Sequence, residues 1–177
     1  MRSQKKIVLK RMVGASLLEV LVAILILSLA ALANAGLQIS GIRANSSAKY
    51  RSIAAAHIND MADRMRANRS GLSYFNLVKG IPSSDPQSGC SAVSTPCNAA
   101  EMAQHDFYEW TTALSNAIPD GKAAICLDTQ TGPTNPATDT YTSPTCSGTG
   151  TTYSIKVWWD DSHGEKIPQI FTTNFQP

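Results

Sequence analysis

The feature that most constrains this chain is an uncharged run, residues 20–42, close to the N-terminus. The run has 23 residues, and a helix over it is about 34 Å long, enough to cross a hydrocarbon core about 30 Å thick. Residues 1–14 carry five basic side chains and no acidic one. Because positive charge stays on the cytoplasmic side of a membrane, the sequence predicts a single membrane span with the rest of the chain exported.

The excess of basic over acidic side chains in this chain comes entirely from the N-terminal segment. The whole chain has 15 basic and 13 acidic side chains, for a net charge of +2. Without the five basic residues of the leader, 10 basic and 13 acidic side chains remain, a net charge of −3. The exported part therefore offers no basic surface for nucleic acid, and we expect no direct nucleic-acid partner.

The predicted helix continues beyond the apolar run. Between residues 50 and 65, apolar side chains recur three to five residues apart, as one stripe of an amphipathic helix does. The stripe consists of Tyr50, Ile53, Ile58, Met61 and Met65. Stop signals follow at residues 68–71. The sequence thus predicts one helix of about 55 residues, from Ala15 to near Asn68, whose first half suits lipid and whose second half suits a globular domain.

Residues 98–121 predict a second helix. Asn98 followed by Glu101 resembles a capping box, and Pro119 with Gly121 ends the pattern. The apolar face of this helix is predicted to consist of Ala103, Phe107, Trp110, Leu114 and Ala117.

Three strands are predicted after the second helix, over residues 122–128, 152–160 and 166–175. Pro168 places the last of them at a sheet edge. Trp158 and Trp159 point to opposite faces of the middle strand. One of them belongs in the core, and the other is either a partner contact or covered by a loop. These elements together predict an α+β domain.

The cysteines predict disulfides. Cys90, Cys97, Cys126 and Cys146 all follow the apolar run, and an even number of cysteines in an exported domain is typical of a disulfide framework. The sequence favours the two local loops, Cys90–Cys97 and Cys126–Cys146, over the other two connectivities. Free or metal-binding thiols are the alternative, although spacings of six, 28 and 19 intervening residues match no zinc pattern.

The chain offers little for catalysis. It contains neither a G-x-S-x-G nor an H-E-x-x-H motif. His57 is expected to be a packed or half-exposed side chain, and His105 and Asp106 are adjacent and do not share a helix face. Residues 160–165 place two aspartates, a histidine and a glutamate in a predicted turn, either a solvated turn or a calcium site. We predict no enzymatic activity, no catalytic residue, no cofactor and no metal site.

The stretch "RMVGASLLEV", residues 11–20, resembles the type IV prepilin signal. It combines a short basic leader, Gly14 and an acid, Glu19, five residues after the glycine. The resemblance implies cleavage by prepilin peptidase after Gly14, N-methylation of Ala15, and pairing of Glu19 with the terminal amine of a neighbouring subunit. Placing an acid in hydrocarbon costs about 2.5 to 3.5 kcal/mol. A docking role of this kind would explain why the chain nevertheless carries an acid at this position. The alternative is an ordinary acid at the membrane interface.

The later motifs narrow the resemblance. The order "HDFYEWTTAL", "IPDG", a strand, a cysteine loop and "YSIKVWWDD" looks like the minor pilins called type IV pilus modification protein PilV. That family implies a long N-terminal helix packed on a small antiparallel sheet, with a second helix and disulfide-closed loops. It also implies a cleaved leader over residues 1–14, a transmembrane and filament-core segment over residues 15–42, and an exported globular domain over residues 43–177.

The same resemblance implies partners and a location. The partners would be prepilin peptidase, other minor and major pilins, and the inner-membrane assembly platform. The chain would cross the inner membrane once, with a periplasmic C-terminal domain, and then enter the pilus fibre as a subunit for assembly, initiation or modification.

Two alternatives remain open. Type II secretion pseudopilins share the N-terminal signal. In a second alternative, "ANA" at residues 33–35 is a signal-peptidase site and a secreted protein begins at Gly36. In the pilin interpretation, Gly36 is either a point where the helix loosens inside a filament or a close-packing glycine.

Overall fold

The computed structural model describes residues 16–76, 85–91, 96–129, 135, 137–162, 164 and 167–177. The first helix, α1, runs over Leu17–Ala67 without interruption, which agrees with the single long helix expected from the sequence. The chain divides into two compact units, Met1–Ala44 and Asn45–Pro177. Of the first unit, only residues 16–44 are described, and they belong to α1 and the residue before it. The leader, Gly14 and Ala15 lie outside the described residues.

The second half of α1 supplies one wall of the core of the second unit. Ile58, Met61 and Met65 are buried, and Tyr50 and Ile53 are partly buried against the same core. The amphipathic stripe expected from the sequence is thus the face that packs. The helix ends at Ala67, where a 3₁₀ segment, Arg69–Phe75, takes over.

The second helix, α2, runs over Ala99–Ala117 and begins with the expected capping box. The Asn98 side chain accepts hydrogen bonds from the backbone N–H groups of Ala100 and Glu101, each at 3.0 Å. The Glu101 carboxylate in turn accepts from the Asn98 N–H at 2.8 Å. Each bond satisfies an N–H group near the helix start that has no partner inside the helix.

The apolar face of α2 is largely the one that the sequence predicts. Ala103, Phe107, Trp110 and Leu114 are buried. Ala117 is exposed, so its inclusion in the face was wrong, and Ile118 is buried instead. The reason is geometric, because the helix ends at Ala117 and Ile118 adopts an extended backbone that turns its side chain inward.

Three antiparallel strands form one sheet in the order β1-β2-β3. The strands are β1 Lys122–Leu127, β2 Tyr153–Trp159 and β3 Gln169–Phe175. The register pairs Ile125 with Ile155 and Ile155 with Thr173. β3 lies at an edge and starts directly after Pro168, as the proline predicts. The elements together confirm the α+β fold expected from the sequence.

Two disulfides close the expected local loops. Cys90 pairs with Cys97, with 5.3 Å between their Cα atoms, and Cys126 pairs with Cys146, with 6.2 Å between theirs. The first pair ties a short 3₁₀ segment, Ser88–Ser91, to the residue before the cap of α2. The second pair ties β1 to the loop between β1 and β2.

Both faces of β2 are buried, which the alternating sequence does not predict. Tyr153, Ile155, Val157 and Trp159 face the helices in the main core. Ser154, Lys156 and Trp158 lie on the other face and are also buried, because the described part of the loop after β1 covers them. Of the two alternatives for the second tryptophan, the structure shows loop cover for Trp158.

Candidate functional site

The first half of α1 is apolar and exposed throughout. Leu17 is 84% exposed, Leu32 71% and Leu37 74%. Every described residue from 16 to 42 is exposed. In the described part of the chain, this is the one helix that is long and apolar enough to cross a membrane by length and composition. An apolar surface of this extent marks contact with lipid or with another protein.

Glu19 is the one charged residue among the described residues of this half. It lies in the first turn of α1, where its backbone N–H donates to the Ser16 carbonyl at 2.9 Å. An acid in the first turn interacts favourably with the partial positive charge of a helix N-terminus. Within the described residues, its carboxylate has no hydrogen bond or ion pair. The group is therefore available to a partner outside the described chain.

The polar side chains inside the apolar run differ in how they are satisfied. The Ser28 hydroxyl donates to the Leu25 carbonyl of the same helix at 2.8 Å. Asn34 and Gln38 have no side-chain hydrogen bond within the described residues. α1 passes through Gly36 without a break, and a Cβ atom added there would meet nothing within 4 Å.

A network of ion pairs joins α1 to α2 in the second unit. The Arg64 guanidinium contacts Asp60 at 3.2 Å, Asp106 at 3.0 Å and Glu109 at 3.2 Å. Burial raises the pKa of the Asp106 carboxyl, and the neighbouring Arg64 charge offsets part of that shift. These charges are paired with one another, and the network holds the two helices together.

His105 is buried next to this network. Its Nδ1 lies 2.8 Å from Asp85 Oδ2, and its Nε2 lies 3.4 Å from Glu109 Oε1. Asp85 lies 20 residues earlier in the sequence, so the contact anchors the segment around the first disulfide onto α2. As expected, His105 and Asp106 do not share a face, because His105 contacts Asp85 and Asp106 contacts Arg64.

His57 is half-buried, as its place beside the apolar stripe suggests. Burial lowers the pKa of its imidazole, and the Asp60 carboxylate partly opposes that change. Its backbone carbonyl accepts a hydrogen bond from Trp110 Nε1 at 2.7 Å. This hydrogen bond joins the backbone of α1 to a side chain of α2.

The loop face of β2 contains the most deeply buried ion pair of the described chain. Lys156 Nζ lies 2.6 Å from Asp139 Oδ2, with side chains 1% and 2% exposed. The ammonium also donates to the Thr145 carbonyl, and the Thr145 N–H donates to Asp139 Oδ1 at 2.9 Å. Trp158 Nε1 donates to the Asp139 carbonyl at 2.9 Å. The alternation of β2 does not predict this pair, because it assigns the Lys156 position to solvent.

The acidic turn after β2 is held by its own backbone. The Asp160 carboxylate accepts from the Ser162 N–H and hydroxyl, both at 2.8 Å, and from the Gly164 N–H. His163 and Glu165 lie outside the described residues. Within the described residues, no group of three or more histidine, cysteine, aspartate or glutamate side chains could hold a metal ion.

A cavity of about 450 Å³ lies between the end of α1 and the start of α2. Its polar lining includes Arg64, Asn68 and Asp106. Arg64 and Asp106 pair with each other, and the Asn68 side chain donates to the Ala99 carbonyl at 2.8 Å. These three side chains thus already have partners, and the exposed half of α1 remains the strongest candidate for a functional site.

Comparison with known proteins points the same way. Residues 36–108 match the Tt1218-like family model, described as type IV pilin Tt1218. The matched segment runs from the middle of α1 to the middle of α2, which is less than half of the chain. No curated protein and no solved structure matches this chain. Together with the exposed apolar helix and the α+β fold, the family match supports a type IV pilin.

Proposed function

We propose that the chain is a minor type IV pilin, processed by prepilin peptidase after Gly14 and incorporated into a pilus through its N-terminal helix. The observation that carries the proposal is the apolar, exposed first half of α1, with Glu19 as the one charge among its described residues. A helix of this kind serves both as a membrane anchor before assembly and as a packing element afterwards. Residues 1–14 would be the leader, residues 15–42 the membrane and filament segment, and residues 43–177 the exported domain.

In this proposal Glu19 is a docking charge. Cleavage after Gly14 creates an α-amino cation at Ala15, which the peptidase would methylate. When apolar helices bundle, that cation enters a medium of low dielectric and needs a nearby anion. Glu19 has no partner among the described residues of its own chain, so its carboxylate is free to meet the amine of a neighbouring subunit.

The minor role rests on the later motifs of the sequence, which look like the modification protein PilV family. The partners would be other minor and major pilins, prepilin peptidase and the inner-membrane assembly platform. The protein would act in assembly, initiation or modification of the fibre and would carry out no chemical reaction. It would reside in the inner membrane with its second unit in the periplasm before it reaches the cell surface.

Two other functions make different predictions. A type II secretion pseudopilin would undergo the same processing but would join a secretion apparatus. A secreted protein released at Gly36 would lose the first half of α1. Glu19 favours the anchored forms over the secreted one, because an acid there interrupts the approach to the apolar core of a secretory signal.

The N-terminus of the mature protein tests processing. Mass spectrometry of the protein from cells with active peptidase should find N-methylated Ala15. A Gly14→Trp variant should remain unprocessed, because the peptidase must approach the backbone closely at that position. Mature protein that begins at Gly36 would establish the secreted form instead, and an intact Met1 would contradict both processing routes.

The docking role has its own test in a Glu19→Val variant. Cleavage and membrane insertion should persist, and incorporation into sheared fibres should be lost. An unpaired buried charge on the partner costs about 3 to 5 kcal/mol, by analogy with broken buried ion pairs. Ser28→Val is the matched control, because the Ser28 hydroxyl, among the described residues, bonds to its own helix. Equal recovery of the Glu19→Val and native proteins in fibres would mean that Glu19 is only an interfacial acid. Association with a secretion complex, and absence from fibres, would identify the pseudopilin.

A further inference from the structure

Two amide side chains lie in the apolar half of α1 without a hydrogen bond to any described residue of their own chain. Asn34 and Gln38 are exposed, four residues apart, and therefore adjacent on one face of the helix. Neither has a side-chain hydrogen bond among the described residues. Ser28 differs, since its hydroxyl is satisfied by the Leu25 carbonyl. Ser40 also lacks a side-chain hydrogen bond among the described residues, but it lies about 120° from Asn34 around the helix. The two amides are thus the polar groups of the span that still need partners and share one face.

The depth of Asn34 and Gln38 in the bilayer makes a missing hydrogen-bond partner costly. If residues 20–42 cross the bilayer, residue 31 lies at the centre. Asn34 then lies about 4.5 Å and Gln38 about 10.5 Å from the midplane along the helix axis, inside a half-thickness of about 15 Å. Lipid tails offer no hydrogen bonds, so an amide exposed to them loses those it makes in water. The alternative that restores them is a polar group on a neighbouring helix.

The face that carries the amides also permits close approach. Ala30 and Gly41 lie one turn before and two turns after Asn34, within about 40° of it around the helix. A Cβ atom added at Gly41 would meet nothing within 4 Å, so the face is open in the chain itself. Small residues beside polar ones let two helix backbones come close enough for side-chain hydrogen bonds. We call the face formed by Ala30, Asn34, Gln38 and Gly41 the amide face.

We propose that the amide face binds the same face of a second copy of this chain, in parallel orientation, within the membrane. An amide has both donors and acceptors and is complementary to itself. Two copies inserted in the same direction place Asn34 opposite Asn34 and Gln38 opposite Gln38 at equal depth. The inference rests on the proposed function in one respect, because it requires the first half of α1 to span the membrane.

Cysteine cross-linking of the full chain in lipid vesicles tests this surface. The four native cysteines are disulfide-bonded, so one added cysteine is the single reactive thiol. Gly41→Cys lies on the amide face, and Gly36→Cys lies about 160° from Asn34 on the opposite side. Neither position has a neighbour within 4 Å of the new Cβ atom, so the two variants form a matched pair. Mild oxidation in vesicles of phosphatidylethanolamine and phosphatidylglycerol should give dimers with Gly41→Cys and few with Gly36→Cys.

Removal of the amides should then weaken the dimer. Asn34→Leu with Gln38→Leu in the Gly41→Cys background should weaken self-association about threefold to thirtyfold, the change expected for one interhelical side-chain hydrogen bond or a few. Ser28→Leu in the same background should leave cross-linking unchanged.

Vesicle flotation of every variant separates the proposed membrane anchor from the proposed self-association surface. A chain that floats but cross-links equally on both faces, or regardless of the amides, overturns the self-association surface alone. A chain that does not float overturns the membrane anchor and this inference together.

Discussion

Replacing one partner of the buried Lys156–Asp139 pair should strongly destabilise the second unit. The ammonium and carboxylate are 2.6 Å apart and almost fully buried, with side-chain exposures of 1% and 2%. In an Asp139→Leu variant, Lys156 would keep one acceptor, the Thr145 carbonyl, and its charge would remain buried without a counter-ion. The Trp158 indole would keep its bond, because it donates to the backbone carbonyl at residue 139.

The expected loss of unfolding free energy is about 3 to 5 kcal/mol, the cost of an uncompensated buried charge. For a domain of this size, that corresponds to a fall of about 10 to 18 °C in Tm. The double variant Lys156→Met with Asp139→Leu should recover most of the loss, because no charge then remains buried. Urea and thermal unfolding of the full chain in detergent, with the disulfides intact, measure both effects.

Lys122 and Asp120 provide the matched control. They form a second Lys–Asp pair, 3.0 Å apart, with side chains 36% and 60% exposed. Lys122 is also the register partner of Trp158 on the adjacent strand, but its pair with Asp120 is exposed, whereas Lys156 and Asp139 are buried. Lys122→Met should cost under about 1 kcal/mol, as exposed pairs do. If Asp139→Leu costs no more than Lys122→Met, or if the double variant is as unstable as Asp139→Leu, the argument from buried charge is wrong.

Two further predictions follow from the helices. Asn98→Ala should lower the free energy of unfolding in urea by about 1 kcal/mol, because two N–H groups at the start of α2 lose their acceptor, whereas Asn98→Ser should keep most of it. Lowering the pH through about 6.5, the ordinary histidine pKa, should decrease the free energy of unfolding. Burial holds the pKa of His57 in the folded chain below that value. The unfolded chain therefore binds more protons than the folded chain as the pH falls. His57→Gln should flatten the dependence of Tm on pH in this range, and an unchanged slope would assign that dependence to other groups.

Local signals in the sequence predicted most of the fold. The stripe Ile58, Met61 and Met65 has helical spacing and is the buried face of α1. Asn98 and Glu101 lie three residues apart and form the capping box. Both results follow from interactions between residues close in the chain, where periodicity and spacing carry the information. The exposed first half of α1 follows equally directly from its composition.

Contacts between distant residues could not be predicted in the same way. Lys156 alternates with Ile155 and Val157, a pattern that assigns it to solvent. It is buried because a loop whose sequence has no periodicity folds over that face of the sheet. His105 similarly meets Asp85 across 20 residues of sequence. A lysine between apolar residues, followed by two tryptophans, is a signal that could have suggested cover on both faces. The terminal amine that Glu19 would meet belongs to another subunit in the proposal, so only the resemblance to prepilins suggested that role.

The loop that covers Trp158 is held by a covalent link and by the buried ion pair, and the two should act differently. The Cys126–Cys146 disulfide closes a loop with a sequence separation of 20. Such a loop stabilises by about 3 kcal/mol in the chain-entropy model, mainly by restricting the unfolded chain. Cys126→Ala with Cys146→Ala should therefore lower unfolding free energy while Asp139 still holds the loop on Lys156 and Trp158. Acrylamide quenching of Trp158 should stay low in that variant and rise when Asp139→Leu is added. The other two tryptophans, Trp110 and Trp159, are 0% and 3% exposed, so a Trp158→Phe background should abolish the rise. If loss of the disulfide alone exposes Trp158, the covalent link holds the folded loop and the ion pair does not suffice.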